Sequence, residues 1–279
     1  SGPLERSDNW VRVWDLMGSP APAVPEPLPP GPALDLYPDP PFSIILGSTG
    51  CPFHCAYCAS DLLHPGFVQR GFAAVWDDLQ IQIERGVRDF AFYDDALLIR
   101  PGTWLEPLLT GLADGPAEVR LHTPNALHVR SLTPALCSVL FKAGLHTVRL
   151  GLETADFEGR SDQKLSLQEW EQGLANLFAA GFTSGQIGAY ILFGLPNQEP
   201  DEVLRAIRFA RRHGIRPHLA QYTPIPGSRL FETAQSASPF PLEAEPLFQN
   251  NSIWPCKPGG FSWREHTYWK KVGSGMLGF

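Results

Sequence analysis

The sequence has few cysteines, no long apolar run and no surplus of basic charge. Five cysteines in 279 residues is an odd number, and three of them fall within eight positions, which argues against the disulfide framework of a small secreted domain. No uncharged apolar stretch reaches the ~18 residues a membrane-spanning helix needs, so no membrane association is expected. The formal net charge is −7, whereas phosphate binding usually leaves a basic surface; a small molecule or peptide is therefore favoured over nucleic acid as substrate. The chain begins with Ser1 and not methionine, so its native start is expected to be missing, with any upstream domain or targeting segment.

What is present is apolar. Hydrophobic residues make up 43% of the chain, enough for a sizeable core in one α/β barrel or two modest domains. Ten prolines between Ser19 and Pro41 favour extended backbone, and residues 1–41 read as an irregular, Pro-rich arm or linker. From Phe42 onward strand and helix patterns alternate. Short apolar runs at Phe42–Leu46, Asp89–Tyr93, Glu118–His122, Thr147–Leu152, Gln186–Phe193 and His218–Tyr222 read as strands. Between them, apolar residues recur at helical spacing, with Pro101 opening one helix, a Ser166/Glu169 capping box opening another, and Gly144, Gly181 and Gly214 ending three. Six alternations imply a parallel sheet, as an open three-quarter barrel or a doubly wound sheet, over residues 42–236. Residues 237–279 break the rhythm, carry Phe248, Trp254, Phe261, Trp263, Tyr268, Trp269 and Phe279, and read as a packed C-terminal cap over the open side of the sheet.

The most informative segment is Cys51-Pro52-Phe53-His54-Cys55-Ala56-Tyr57-Cys58. It follows the first strand directly, at the end where α/β folds gather chemistry. Three thiolates on one short loop can hold three irons of a [4Fe–4S] cube and leave the fourth iron open, as a catalytic site does. Structural zinc is the alternative, with His54 or His64 as a fourth ligand; the chain has no second C-x₂-C pair to support it.

With Tyr57 before the third cysteine, this loop resembles the signature of the radical S-adenosylmethionine (SAM) superfamily. The resemblance extends over most of residues 42–230 and implies a partial (β/α)₆ TIM-like barrel. It implies a [4Fe–4S] cluster on Cys51, Cys55 and Cys58, with SAM on the open iron. It also implies reductive cleavage of SAM to methionine and a 5′-deoxyadenosyl radical, an electron donor such as flavodoxin or ferredoxin, oxygen sensitivity and a cytoplasmic setting. Carried along the strand ends, it names further candidates for SAM. These are Tyr57 on the loop, Tyr93 and Asp94 after the second strand, Asn125 after the third, Arg149 and Glu153 in Arg149-Leu150-Gly151-Leu152-Glu153-Thr154, and Gly194 in a Gly-Leu-Pro turn.

The plainer readings are a helix cap at the second strand end, a Pro124 turn at the third, and an Arg149–Glu153 ion pair. His122, Tyr190, His218, Gln221 and Tyr222 are candidates to line the substrate pocket, and Cys256, Tyr190 and Tyr222 are candidate catalytic groups. Cys137 reads as core, and Arg205, Arg208, Arg211 and Arg212 as a solvated helix face. The stretch Pro224-Ile225-Pro226-Gly227-Ser228 and the segment Ala33–Pro38 look most like the cobalamin-associated branch of the superfamily. No cobalamin domain is recognisable in this chain, so cobalamin stands as a possible cofactor bound elsewhere, for a methyltransferase. A non-catalytic iron–sulfur or zinc scaffold, and a cofactor-transferring member without radical turnover, are the other readings.

Overall fold

A computed structural model describes residues 7–20, 37, 40–160, 165–257, 259–274 and 276. Residues 33–36 and 38 of the cobalamin-like segment, and Phe279 of the aromatic set, lie outside the described residues.

In chain order the elements are α1 (Ser7–Leu16), β1 (Ser43–Ile45), β2 (Ser48–Thr49), α2 (Ser60–Leu63), β3 (Val68–Gln69), α3 (Phe72–Glu84), β4 (Asp89–Phe92), α4 (Leu105–Asp114), β5 (Arg120–His122), α5 (Pro134–Lys142), β6 (Leu145–Glu153), α6 (Leu167–Ala180), β7 (Ile187–Phe193), α7 (Pro200–Arg212), β8 (Arg216–Gln221), α8 (Phe231–Ala237) and α9 (Trp263–Ser274). Six strands form one sheet in the order β1-β4-β5-β6-β7-β8, every pairing parallel. Each strand lies beside the next large-sheet strand in the chain. A doubly wound sheet would reverse direction at a switch point, so the order settles the sequence ambiguity in favour of the open partial barrel. β1 and β8 are its two edges.

The helices form where the apolar spacing placed them. Leu105, Leu108, Leu109 and Leu112 of α4 are buried, as are Val203, Ala206, Ile207 and Ala210 of α7. Both hydrogen bonds of the capping box are present at α6: Glu169 N–H donates to Ser166 Oγ at 3.2 Å and Ser166 N–H to Glu169 Oε2 at 2.8 Å. On β6, Val148, Leu150 and Leu152 join the main core under the helices.

Local chemistry departs from the sequence reading in several places. The irregular reading of residues 1–41 is corrected by α1, which precedes the first proline of the Pro-rich stretch. Pro101 opens a 3₁₀ turn over Pro101–Thr103, and α4 starts only at Leu105. Arg211 does not lie on the solvated face: Nη2 donates to the carbonyl of Val272, tying α7 to α9. The ribbon pairing Ser48 with Gln69 and Thr49 with Val68 is too short to show any alternation.

The C-terminal segment lies on the β7–β8 side. Trp254 and Trp269 pack on Phe193 with ring centroids 5.0 and 4.9 Å apart. A second small cluster joins Tyr222, Phe231, Ala234, Leu242 and Cys256 with Tyr57 of the cysteine loop.

Replacing Ser166 with alanine removes the side-chain acceptor of the cap. Stability is expected to fall by about 1 kcal/mol, read as a lower urea midpoint with an unchanged m-value.

Candidate functional site

The cysteine loop is braced at both ends. The β2–β3 ribbon closes its base, and Arg70 N–H donates to Gly47 O at 2.8 Å just outside it. Gly50 has φ +76°, and a Cβ there would stand 1.9 Å from Gly66 O, so only glycine allows the two arms to meet. At the far side, Leu230 N–H donates to Ala56 O at 2.9 Å, and Phe53 packs on His128 with centroids 4.4 Å apart. Cys51, Cys55 and Cys58 are unbridged and partly exposed, whereas Cys137 and Cys256 are buried elsewhere.

This donor set fits a cube better than zinc. Three cysteines on one short loop leave a tetrahedral zinc short of its fourth protein ligand unless a histidine joins them. In a cube each thiolate takes a different iron, so the sulfurs stand apart. His54 turns outward, 68% exposed, to Asp61 at 3.1 Å.

Beside the loop lies a cavity of about 260 Å³ between Tyr57, Glu153, Thr154, Arg160, Leu195 and Gln198. Glu153 is 9% exposed. Its backbone is left-handed at φ +65°, where the register of β6 against β7 shifts between Gly151 and Glu153. A non-glycine residue held in that region is strained, and such strain clusters at functional sites. Arg160, 8% exposed, went unread in the sequence because it lies past the end of its strand, where periodicity carries no signal. The Gly194 turn forms the neighbouring wall. Gly194 has φ +83°, and its N–H donates to Gln198 Oε1 at 2.8 Å while Gln198 Nε2 donates to Leu192 O at 2.9 Å.

Other candidates are engaged within the protein. The Asp94 carboxylate is 2% exposed and accepts from Ser48 Oγ at 2.5 Å and from Gly47 N–H at 3.2 and 3.3 Å. Burial raises its pKa to about 6 against those hydrogen bonds. Asn125 Nδ2 donates to the carbonyls of Tyr93 and Asp94 at 2.9 and 3.3 Å, and the Tyr93 side chain is 48% exposed. Asp94 and Asn125 thus join strand ends to one another.

Arg149 reaches the opposite end of the sheet: Nη1 donates to Val148 O and Gln186 O at 3.1 and 3.4 Å, beside the first residue of β7. His122 is likewise held by Asp89, the first residue of β4, at 3.2 Å. Tyr190 donates to Pro124 O at 2.8 Å across the interior and stands 5.9 Å from His218. Tyr222 and Cys256 share the small cluster next to Tyr57. Burial pushes the Cys256 thiol up to about 11, and it pushes the Tyr222 phenol above its usual range, with a further contribution from Cys256. Both stay protonated at neutral pH.

With this geometry in hand, the comparisons agree with one another. The profile described as "Radical SAM superfamily" matches residues 45–210, more than half of the chain. An uncharacterized methyltransferase of Pyrococcus horikoshii is 28% identical over 205 residues, which is 70% of this chain and 42% of that protein. Two solved structures of the radical S-adenosylmethionine methyltransferase TsrM from Kitasatospora setae superpose with a TM-score of 0.59, at 16 and 17% identity, over 71% of this chain. One holds tryptophan substrate and the SAM analog aza-SAM, the other cobalamin and a [4Fe–4S] cluster. Methylornithine synthase (PylB) superposes with a TM-score of 0.51 at 14% identity, over 68% of this chain and 56% of its own. The chain spans about two fifths of the length of the Pyrococcus protein and of TsrM.

The raised Asp94 pKa favours the folded state below about pH 4, where Asp94 is protonated in both states. That contribution is lost as pH rises from about 4 to about 6, where only the unfolded state ionises freely. A shift of about two units amounts to on the order of 3 kcal/mol. Urea titrations of Asp94→Asn are expected to show a flatter stability profile over this window than the wild-type chain shows; equal slopes would disprove the assignment.

Proposed function

Because the chain belongs to the radical SAM superfamily, whose members use a [4Fe–4S] cluster and SAM, we propose that it is a radical SAM enzyme with Cys51, Cys55 and Cys58 as cluster ligands and SAM in the Tyr57–Glu153 cavity. The observation that carries this reading is the position of three cysteines outside any disulfide on a loop braced against a cavity that ends at a buried, strained glutamate. When bound, the cluster supplies the electron that cleaves SAM to methionine and a 5′-deoxyadenosyl radical, which abstracts hydrogen from substrate.

The chain's own residues bind and orient. Glu153 offers a carboxylate to the amino or ribose groups of SAM, and the low-dielectric wall around it strengthens that contact. Tyr57 closes the cavity on the loop side, and the Gly194 turn presents backbone on the β7 side. Asp94 and Asn125 act as positioning residues, the first fixing where β1 hands over to the loop, the second fixing the Tyr93–Asp94 carbonyls. Arg149 is assigned to anchoring the start of β7 and not to SAM. Tyr190, Tyr222 and Cys256 border the interior and the loop; the buried, protonated Tyr222 and Cys256 suit shaping the substrate space. The substrate is a small molecule or peptide, the electron comes from a flavodoxin or ferredoxin, and the setting is cytoplasmic. No helix among the described residues is long and apolar enough to cross a membrane.

Methyl transfer is the second reading, favoured by the names of the Pyrococcus relative and TsrM. It calls for cobalamin bound by a part of the protein outside this chain. Corrinoid titration separates the two: tight binding by a longer protein carrying this chain supports methyl transfer, and its absence supports hydrogen abstraction without a corrinoid.

The reading is tested by electron paramagnetic resonance on anaerobically reconstituted, dithionite-reduced protein. A [4Fe–4S]⁺ signal that changes on adding SAM is expected. A signal indifferent to SAM would point to a non-catalytic scaffold or electron carrier, and zinc without sulfide would overturn the cluster itself. Alanine at all three cysteines is expected to abolish iron binding and deoxyadenosine release.

Glu153→Gln removes a charged hydrogen-bond partner worth about 1.5–3 kcal/mol. SAM affinity is expected to fall by about tenfold or more with iron content unchanged. Retained affinity would remove Glu153 from the site.

A further inference from the structure

A second cavity, of about 420 Å³, lies between β8 and α9. It shares no lining residue with the cavity beside the cysteine loop, and its size falls in the range of small-molecule sites. One wall is the run Arg216–Leu219 with Gln221; the other is a single face of α9, with His266, Trp269, Lys270, Gly273 and Ser274. Phe193, Trp254 and Trp269 make an aromatic floor.

Three observations point to an occupant. The first is charge. Among the described residues, every ionisable side chain lining this cavity is basic: Arg216, His218, His266 and Lys270. Glu265, next to His266 on α9, is turned to Lys257 Nζ at 2.8 Å and does not line the cavity. Burial, with the positive charges of Arg149 and Arg216, lowers the His218 pKa to about 4, so this ring is neutral at pH 7 and the fixed positive charges of the cavity are Arg216 and Lys270. Among the described residues lining the cavity no carboxylate faces Arg216 and Lys270, and two such cations at the rim of a low-dielectric pocket attract an anion.

The second is shape. Trp254 stands edge-on to Phe193, and Trp269 leans on the same ring. An aromatic surface of this kind favours a flat apolar body through stacked or edge contacts.

The third lies at Trp254 itself. Its backbone is left-handed, φ +50°, a costly conformation for a bulky residue. Its indole N–H is buried with no acceptor, as are those of Trp104 and Trp170, but of these three only Trp254 lines the cavity, and buried donors are nearly always paired. The fold thus holds a strained tryptophan with an unsatisfied donor at the floor of a basic cavity. A mere packing void would be apolar all round.

We propose that this cavity is a binding site for a small planar organic anion, an aromatic ring system bearing a carboxylate, held by the Trp254–Trp269 floor and the Arg216 and Lys270 cations. Arg216 offers paired donors that match a carboxylate. The inference does not rest on the cofactor assignment.

The test is calorimetric titration of the full chain, reconstituted anaerobically, with 2-naphthoate and with neutral 2-naphthamide. One saturable site for 2-naphthoate is expected, with 2-naphthamide weaker by about tenfold or more. The double variant Arg216→Glu/Lys270→Glu should lower 2-naphthoate affinity by about the same factor with an unchanged thermal midpoint. Lys270→Gln, at an exposed helix position, should lower it in the same direction if the double variant folds poorly. Saturating SAM should leave 2-naphthoate binding intact. Absence of saturable binding, equal binding of acid and amide, unaltered affinity in the variants, or displacement by SAM would each overturn the proposal.

Discussion

One buried carboxylate fixes the geometry on which the cysteine loop depends. Asp94 sits where β4 ends and takes hydrogen bonds from Gly47 and Ser48, where β1 ends. Burying a charge is costly unless it is well paired, and the rise of its pKa to about 6 shows that desolvation outweighs even these donors. Gly47 meets a second demand at the same point: a Cβ there would stand 2.3 Å from the Trp104 ring, and Trp104 is fully buried. The first residues after β1 are thus held by a core tryptophan on one side and a carboxylate on the other. Three residues later the cysteines begin.

The partial barrel makes the rest of the arrangement possible. A closed barrel has no edge, whereas this sheet stops at β8, and α9 with the Trp254 region packs against that last strand. The same C-terminal chain reaches back over the mouth, where Tyr222, Phe231 and Cys256 meet Tyr57. The cysteine loop is therefore packed from both halves of the sequence, by Phe53 on His128 after β5 and by Ala56 on Leu230 after β8. Cavities lie on either side of the β7–β8 end: one faces the loop and is lined largely by acidic and neutral groups, the other faces α9 and is basic.

Much of this was legible in the chain alone. The strand–helix alternation was readable because each buried helix repeats apolar residues at its own period, and the α6 cap because Ser166 and Glu169 stand at the required spacing. Arg149 shows where such reading stops. Alternation along β6 separates it from Val148 and Leu150 by face, but says nothing of height, and its guanidinium binds carbonyls at the far end of the sheet from the cysteines. Asp94 and Asn125 show a second limit. Their polar groups suit a ligand, yet the fold spends them on Gly47, Ser48, Tyr93 and Asp94 itself, partners distant in sequence.

Sequence by itself determined the parallel α/β class, the loop that carries the three thiols and the strand end that places Glu153 near it, because each depends on short-range spacing and periodicity. Only the tertiary structure decided which polar groups stay turned toward a cavity, that the strands run in unbroken order to an open edge, and that Arg216, Lys270 and Trp254 converge against α9. Those outcomes depend on which distant groups satisfy one another's hydrogen bonds and charges once buried, a competition that no local pattern records.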